Sequence, residues 1–138
     1  MAKYFIGVVS QEHVLIGVKQ GIAQIGHGKK RGLARMQKGD WLIYYSPKIA
    51  LESKEKLQAF TAIGQMVDDD IYQVEMSPTF KPFRRNVQYL SANKSPIAPL
   101  LENLSFIKNK KQWGYIFRYG LVEIPQEDFE LIKQEMMQ

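Results

Sequence analysis

Three short segments set cations beside aromatic rings. Gly26-His27-Gly28-Lys29-Lys30-Arg31-Gly32 is a glycine-rich basic loop, followed soon after by an aromatic run, Asp40-Trp41-Leu42-Ile43-Tyr44-Tyr45-Ser46. Phe80-Lys81-Pro82-Phe83-Arg84-Arg85 and Trp113-Gly114-Tyr115-Ile116-Phe117-Arg118 interleave arginine and aromatic residues again. Glycines let backbone amides approach an anion, ammonium and guanidinium groups draw phosphate, and ring faces accept a stacked base. The chemistry on offer is recognition of nucleic acid. His27, flanked by glycines, is a hydrogen-bond donor toward a base or a phosphate, and a loop histidine with no task is the plainer reading. Trp113 and Tyr115 follow a lysine run and flank Gly114, which fits a pocket wall, while Tyr44, Phe60 and Phe106 are assigned to packing.

Other chemistries fail on spacing. In the span from Gly21, His27 stands where a phosphate-loop lysine must be, and Gly28 where a hydroxyl must meet magnesium. Gly26, Gly28 and Gly32 miss the dinucleotide fingerprint by one residue, with no long helix after them. His13 and His27 are the two imidazoles, and neither has a partner at metal-ligand spacing or a visible triad. Asp68-Asp69-Asp70 lacks the alternating ligands of a calcium loop and reads as a solvated turn. No cofactor, metal or catalytic residue is expected.

The chain has 138 residues and 45% hydrophobic content, enough for one domain, 1–138, with its own core. Absence of cysteine rules out disulfides and thiolate chemistry and fits a reducing compartment; with no apolar run long enough to span a bilayer, the expectation is a soluble, cytoplasmic protein without membrane contact. The net charge of +5 is unevenly placed. Between Lys81 and Arg118 the only acid is Glu102, whereas Glu123, Glu127, Asp128, Glu130 and Glu135 crowd the final segment against Lys133. One basic face and one acidic flank follow, and a solvated lysine-rich surface is the plainer reading of that face.

The elements that must position these residues can be read from pattern. Strands are expected at Tyr4–Val9, Ile22–Ile25, Trp41–Tyr45, Leu57–Met66, Tyr72–Met76, Phe80–Tyr89 and Phe117–Ile124, with Gly64 as a bulge. Ser10 caps a helix that stops at Gly21, with Val14, Leu15 and Val18 on its apolar face. A helical turn is expected around Leu33–Met36, a short helix between Pro96 and Leu104, and a closing helix from Pro125 with Phe129, Ile132 and Met136 inside. Six or so short strands without strand-helix alternation argue for an α+β domain, a small mixed β-barrel with peripheral short helices and a C-terminal helix.

Tyr4-Phe5-Ile6-Gly7-Val8-Val9-Ser10, Gly39 to Pro47, Leu57 to Gly64 and Trp113 to Leu121 resemble blocks of the EVE-domain family, within the PUA-like superfamily, and the resemblance runs from Lys3 to the closing helix. It implies a PUA-like pseudobarrel, shared with the YTH and SRA domains, whose pocket at one barrel end receives a modified base in DNA or RNA. On that resemblance Ser10 is a pocket serine and Gly26, His27 and Gly28 form the second pocket edge. Tyr45 and Ser46 close the third strand, and Trp113 and Tyr115 supply the opposing wall. Lys29, Lys30, Arg31, Arg84, Arg85 and Arg118 are the expected phosphate contacts. Many members carry a lysine-serine-glutamate-proline block where this chain has Val9-Ser10-Gln11-Glu12, which marks a divergent branch.

Two alternatives accompany this reading. ASCH-type relatives hydrolyse an acylated base, yet after Gly17-Val18-Lys19 no glutamate or arginine follows at their spacing. The aromatic clusters would also suit a protein partner or a homodimer, with a monomer the favoured state.

Overall fold

The computed structural model describes residues 1–138. Eight strands form one curled sheet. They are β1 (Tyr4–Val8), β2 (Ile22–Ala23), β3 (Trp41–Lys48), β4 (Lys56–Met66), β5 (Tyr72–Gln73), β6 (Phe83–Tyr89), β7 (Ser95–Pro96) and β8 (Leu121–Ile124). Their order is β2-β6-β4-β3-β1-β8, with β5 added to β6 and β7 to β4. The sheet is an open half-barrel, because β2 and β8 do not pair. β1 and β3 run parallel, Tyr4 beside Trp41 and Val8 beside Tyr45, while β8 flanks β1 in the antiparallel sense. Three α-helices, α1 (Gln11–Gln20), α2 (Lys30–Leu33) and α3 (Gln126–Met136), join 3-10 turns at Gly26–Gly28, Ala98–Asn103 and Trp113–Tyr119.

Strand alternation divides the core in two. Ile6, Ile43, Tyr45, Phe60 and Ile63 face α3 and the last two 3-10 turns, where they meet Leu104, Phe117, Phe129 and Ile132. Phe5, Leu42, Tyr44 and Ala62 face the hollow of the sheet, filled by Val14, Ala23, Ile25, Leu33 and Met36. The gap between the sheet edges is bridged near α2. A Cβ on Gly32 would stand 2.9 Å from the Ile25 side chain and 3.7 Å from Leu121. Arg35 donates to the Leu121 carbonyl at 3.2 Å and lies over the Phe5 ring.

The expected mixed α+β fold with its curled sheet and closing helix is present, as an open half-barrel instead of a closed barrel, and the details differ for local reasons. Phe117 to Tyr119 belong to a 3-10 turn, so the last strand starts at Leu121. Leu15 is 56% exposed although Val14 is buried, which narrows the apolar stripe of α1. Ser10 sits at the N-cap without a side-chain cap bond. Gly64 is no bulge: a Cβ there would lie 2.5 Å from Val87 Cγ1, so the glycine lets β6 close onto β4. The real irregularities of β4 lie earlier in the strand, between the pairs Tyr44–Ala62 and Tyr45–Phe60 and between Ser46–Ala59 and Lys48–Lys56.

Candidate functional site

A cleft of about 360 Å³ opens where β1 and β3 end, lined by Val8, Tyr45, Pro47, Gln58, Lys111, Gln112, Trp113, Gly114, Phe117 and Arg118. Its position follows from the fold. The parallel pairing brings Val8 beside Tyr45, the β4 irregularity places Gln58 opposite Pro47, and the Trp113–Tyr119 turn closes over the top. A shallow extension runs outward past Gln112, Gly114, Tyr115 and Arg118.

The floor is a ring cluster. Tyr45 stacks on Phe117 with centroids 4.2 Å apart and planes 17° from parallel. Trp113 stands edge-on to both, at 86° to Tyr45 and 77° to Phe117. Tyr45 therefore offers no free face, contrary to a two-sided sandwich around a base. Its hydroxyl makes no hydrogen bond within the protein and reaches the cleft. Burial pushes this phenol up to about 12, so it is a neutral donor at physiological pH. Trp113 is half-buried and is the ring a flat ligand can still approach.

The rim is positive. Arg118 lies over the Tyr115 ring at 4.9 Å, and Lys111 projects from the chain just before Trp113. The single ion pair of the molecule, Lys81 with Glu75, lies elsewhere, so neither rim cation has a carboxylate partner. No carboxylate, imidazole or hydroxyl nucleophile other than the Tyr45 phenol lines the cleft.

Of the residues singled out from sequence, Tyr45, Trp113, Tyr115 and Arg118 come together here. Ser46 does not: it alternates with Tyr45 along β3, points to the other face and is fully buried with its Oγ 2.8 Å from Thr61 Oγ1. Ser10 is buried two residues beyond β1, with its Oγ 3.3 Å from His13 Nδ1. The Gly26–Gly28 turn contributes nothing to the cleft. It packs against another loop, since a Cβ on Gly28 would fall 2.5 Å from Pro82 Cβ and 3.3 Å from Phe80. His27 is exposed there with φ +59°, among the exposed Lys29, Lys30 and Arg31. Arg84 joins this second basic surface, its Nε donating to Gln24 Oε1 at 3.0 Å.

Arg85 requires correction as a phosphate contact. It is 1% exposed, and its guanidinium donates to the carbonyls of Leu33, Met36 and Asp68 at 2.8, 2.6 and 2.7 Å. It is a clamp between β6, the turn after α2 and the turn after β4. Val8, Pro47, Gln58, Lys111 and Gln112 were not legible as cleft residues, because the bulge and the 3-10 turn that gather them have no periodic signature.

The family described as EVE domain matches residues 3–135. A UPF0310 protein of Mycolicibacterium vanbaalenii is 49% identical over 133 residues, covering 96% of this chain and 92% of the relative. Among solved structures, the YTH domain of the Zygosaccharomyces rouxii MRB1 protein, in complex with N6-methyladenosine RNA, is similar with a TM-score of 0.60 at 14% identity, over 99% of this chain and 89% of that one. The YTH domain-containing protein mmi1, in complex with RNA, gives 0.56 at 15% identity over 95% and 81%. These likenesses establish a shared fold.

Proposed function

As the chain belongs to the EVE-domain family, we propose that it is a nucleic-acid reader whose cleft between Tyr45 and Trp113 accepts one base, modified or otherwise marked. The observation that carries this reading is the combination of an approachable indole, an unpartnered phenol hydroxyl and two unpaired rim cations in one cleft. The base lies against Trp113, Tyr45 and nearby amides meet its edge, and Lys111 and Arg118 hold the flanking phosphates. Lys29, Lys30, Arg31 and Arg84 provide a separate phosphate-contacting surface for a longer strand. Structural neighbours solved with RNA support the class of ligand.

Extruding a base costs a few kcal/mol, and stacking on one aromatic side chain returns about 1–3 kcal/mol. One ring alone leaves the exchange near balance. Phosphate contacts and edge hydrogen bonds must therefore supply the net affinity, which makes binding steeply salt-dependent. Hydrolysis of a modified nucleoside would need a group to activate water or attack carbon, and the cleft lining includes no carboxylate, imidazole or amine held in a desolvated pocket. The residues suit binding.

Titration of the protein with matched single-stranded RNA and DNA oligonucleotides, differing at one base modification, tests the proposal. Affinity is expected to fall steeply with salt and to prefer one modified member of a pair. A flat salt response, or equal binding of all members, would overturn it.

A further inference from the structure

Gln58 is one of two non-glycine residues with a left-handed backbone, at φ +53°. Side chains with a Cβ are strained in this region, and such strain persists where surrounding structure holds it, commonly at a binding site. The strain has a visible origin. β3–β4 pairing passes from Ser46–Ala59 to Lys48–Lys56, so Leu57 and Gln58 together oppose Pro47 alone. Pro47 donates no ladder hydrogen bond, which lets the strand bulge there. On its other side the Gln58 carbonyl accepts the Ile97 amide at 3.0 Å, which anchors the twisted peptide. The side chain lines the cleft, half-buried, and its carboxamide forms no hydrogen bond within the protein.

We infer that Gln58 is the specificity-determining residue of the cleft, its bulge and left-handed backbone retained to present a carboxamide to the edge of the bound base. The inference rests on the reader function proposed above. A carboxamide offers a donor and an acceptor side by side, matching a base edge with neighbouring acceptor and donor groups. Lys111 and Arg118 are exposed cations that sense phosphate charge, and the Tyr45 hydroxyl supplies one further contact. Among the lining residues only Gln58 combines an unpartnered amide with a backbone fixed in a strained conformation. The ligand class is a base with an intact hydrogen-bonding edge, unpaired in a single strand or flipped from a duplex.

The test uses pairs of single-stranded oligonucleotides carrying either a natural base or a nonpolar isostere of the same shape at one position. The wild-type protein is expected to prefer the natural base by about 5- to 150-fold for the best-bound pair. Gln58→Gly relieves the backbone strain while removing the amide, so it should melt at a higher temperature than wild type, bind with unchanged salt dependence and lose the preference. Gln58→Ala keeps the strain, so it should lose the preference without the thermal gain. Retained preference in both variants, or no preference in the wild type, overturns the role of Gln58 while salt-dependent binding leaves the reader function standing. Absence of any binding by the wild-type protein at low salt overturns both.

Discussion

At the scale of single residues, two arginines singled out alike from the sequence lie in opposite surroundings, Arg85 buried and Arg118 exposed. Arg85→Ala leaves the carbonyls of Leu33, Met36 and Asp68 without their shared donor, each such loss costing about 1–3 kcal/mol. A large drop in melting temperature is the expected result of thermal denaturation. Arg118 is exposed and lies over the Tyr115 ring, so in Arg118→Ala stability should change by about 0.5 kcal/mol or less, while the salt slope of nucleic-acid binding shrinks by about one. Trp113→Ala should weaken binding by about 1–3 kcal/mol in a fluorescence titration. Arg84 and Arg85 read alike from sequence because both belong to the Phe80–Arg85 run of rings and cations. Strand alternation would have separated them, as it would have separated Tyr45 from Ser46, since neighbours on a strand face opposite sides. Gln58 carried no such signal. Its conformation arises from pairing between distant strands, which no local pattern records.

At the scale of elements, long periodic segments were readable nearly to their ends, whereas short ones were given wrong bounds or missed. β1, β3, β4, β6 and α3 lie close to where composition placed them, because each commits a run of apolar residues to a core. β2, β5 and β7 have two residues each: the first two are shorter than the strands expected at Ile22–Ile25 and Tyr72–Met76, and β7 was not anticipated at all. A pair of residues has no period, so tertiary hydrogen bonding alone defines such strands. The glycine at position 64 illustrates the same limit: the pattern suggests a bulge where there is a contact surface. Gly64→Ala should cost about 1–3 kcal/mol by overpacking against Val87 and Tyr89, measured by urea unfolding. α3 has a further device. The buried Asp128 carboxylate accepts the amides of Ser105 and Phe106 and the Ser105 hydroxyl, which ties the loop before the cleft to the closing helix. Neutralising it in Asp128→Asn should loosen that loop, seen as faster amide exchange at Ser105 and Phe106.

For the whole molecule, three tyrosines link stability to pH. Burial holds the Tyr44 and Tyr45 phenols up at about 12 and also raises Tyr89, which donates to the Ile22 carbonyl at 2.8 Å. A tyrosine in the unfolded chain ionises near pH ~10, so above that value the unfolded state releases protons that the native state retains. The stabilisation is complete below about pH 10 and is lost as pH climbs toward 12. Alkaline titration should therefore show phenolate absorbance from these three rings appearing together with loss of circular dichroism. Topology carries a different consequence. β1 lies inside the sheet, with β3 on one flank and β8 on the other, so Tyr4 must meet Ile124 before the strand is covered on both sides. During synthesis β1 leaves the ribosome well ahead of β8, and until that strand follows, one of its edges keeps its backbone amides and carbonyls unpaired. Folding of this domain should thus be completed only after its eighth strand has emerged, with a nascent chain that is open to chaperones and proteases until then.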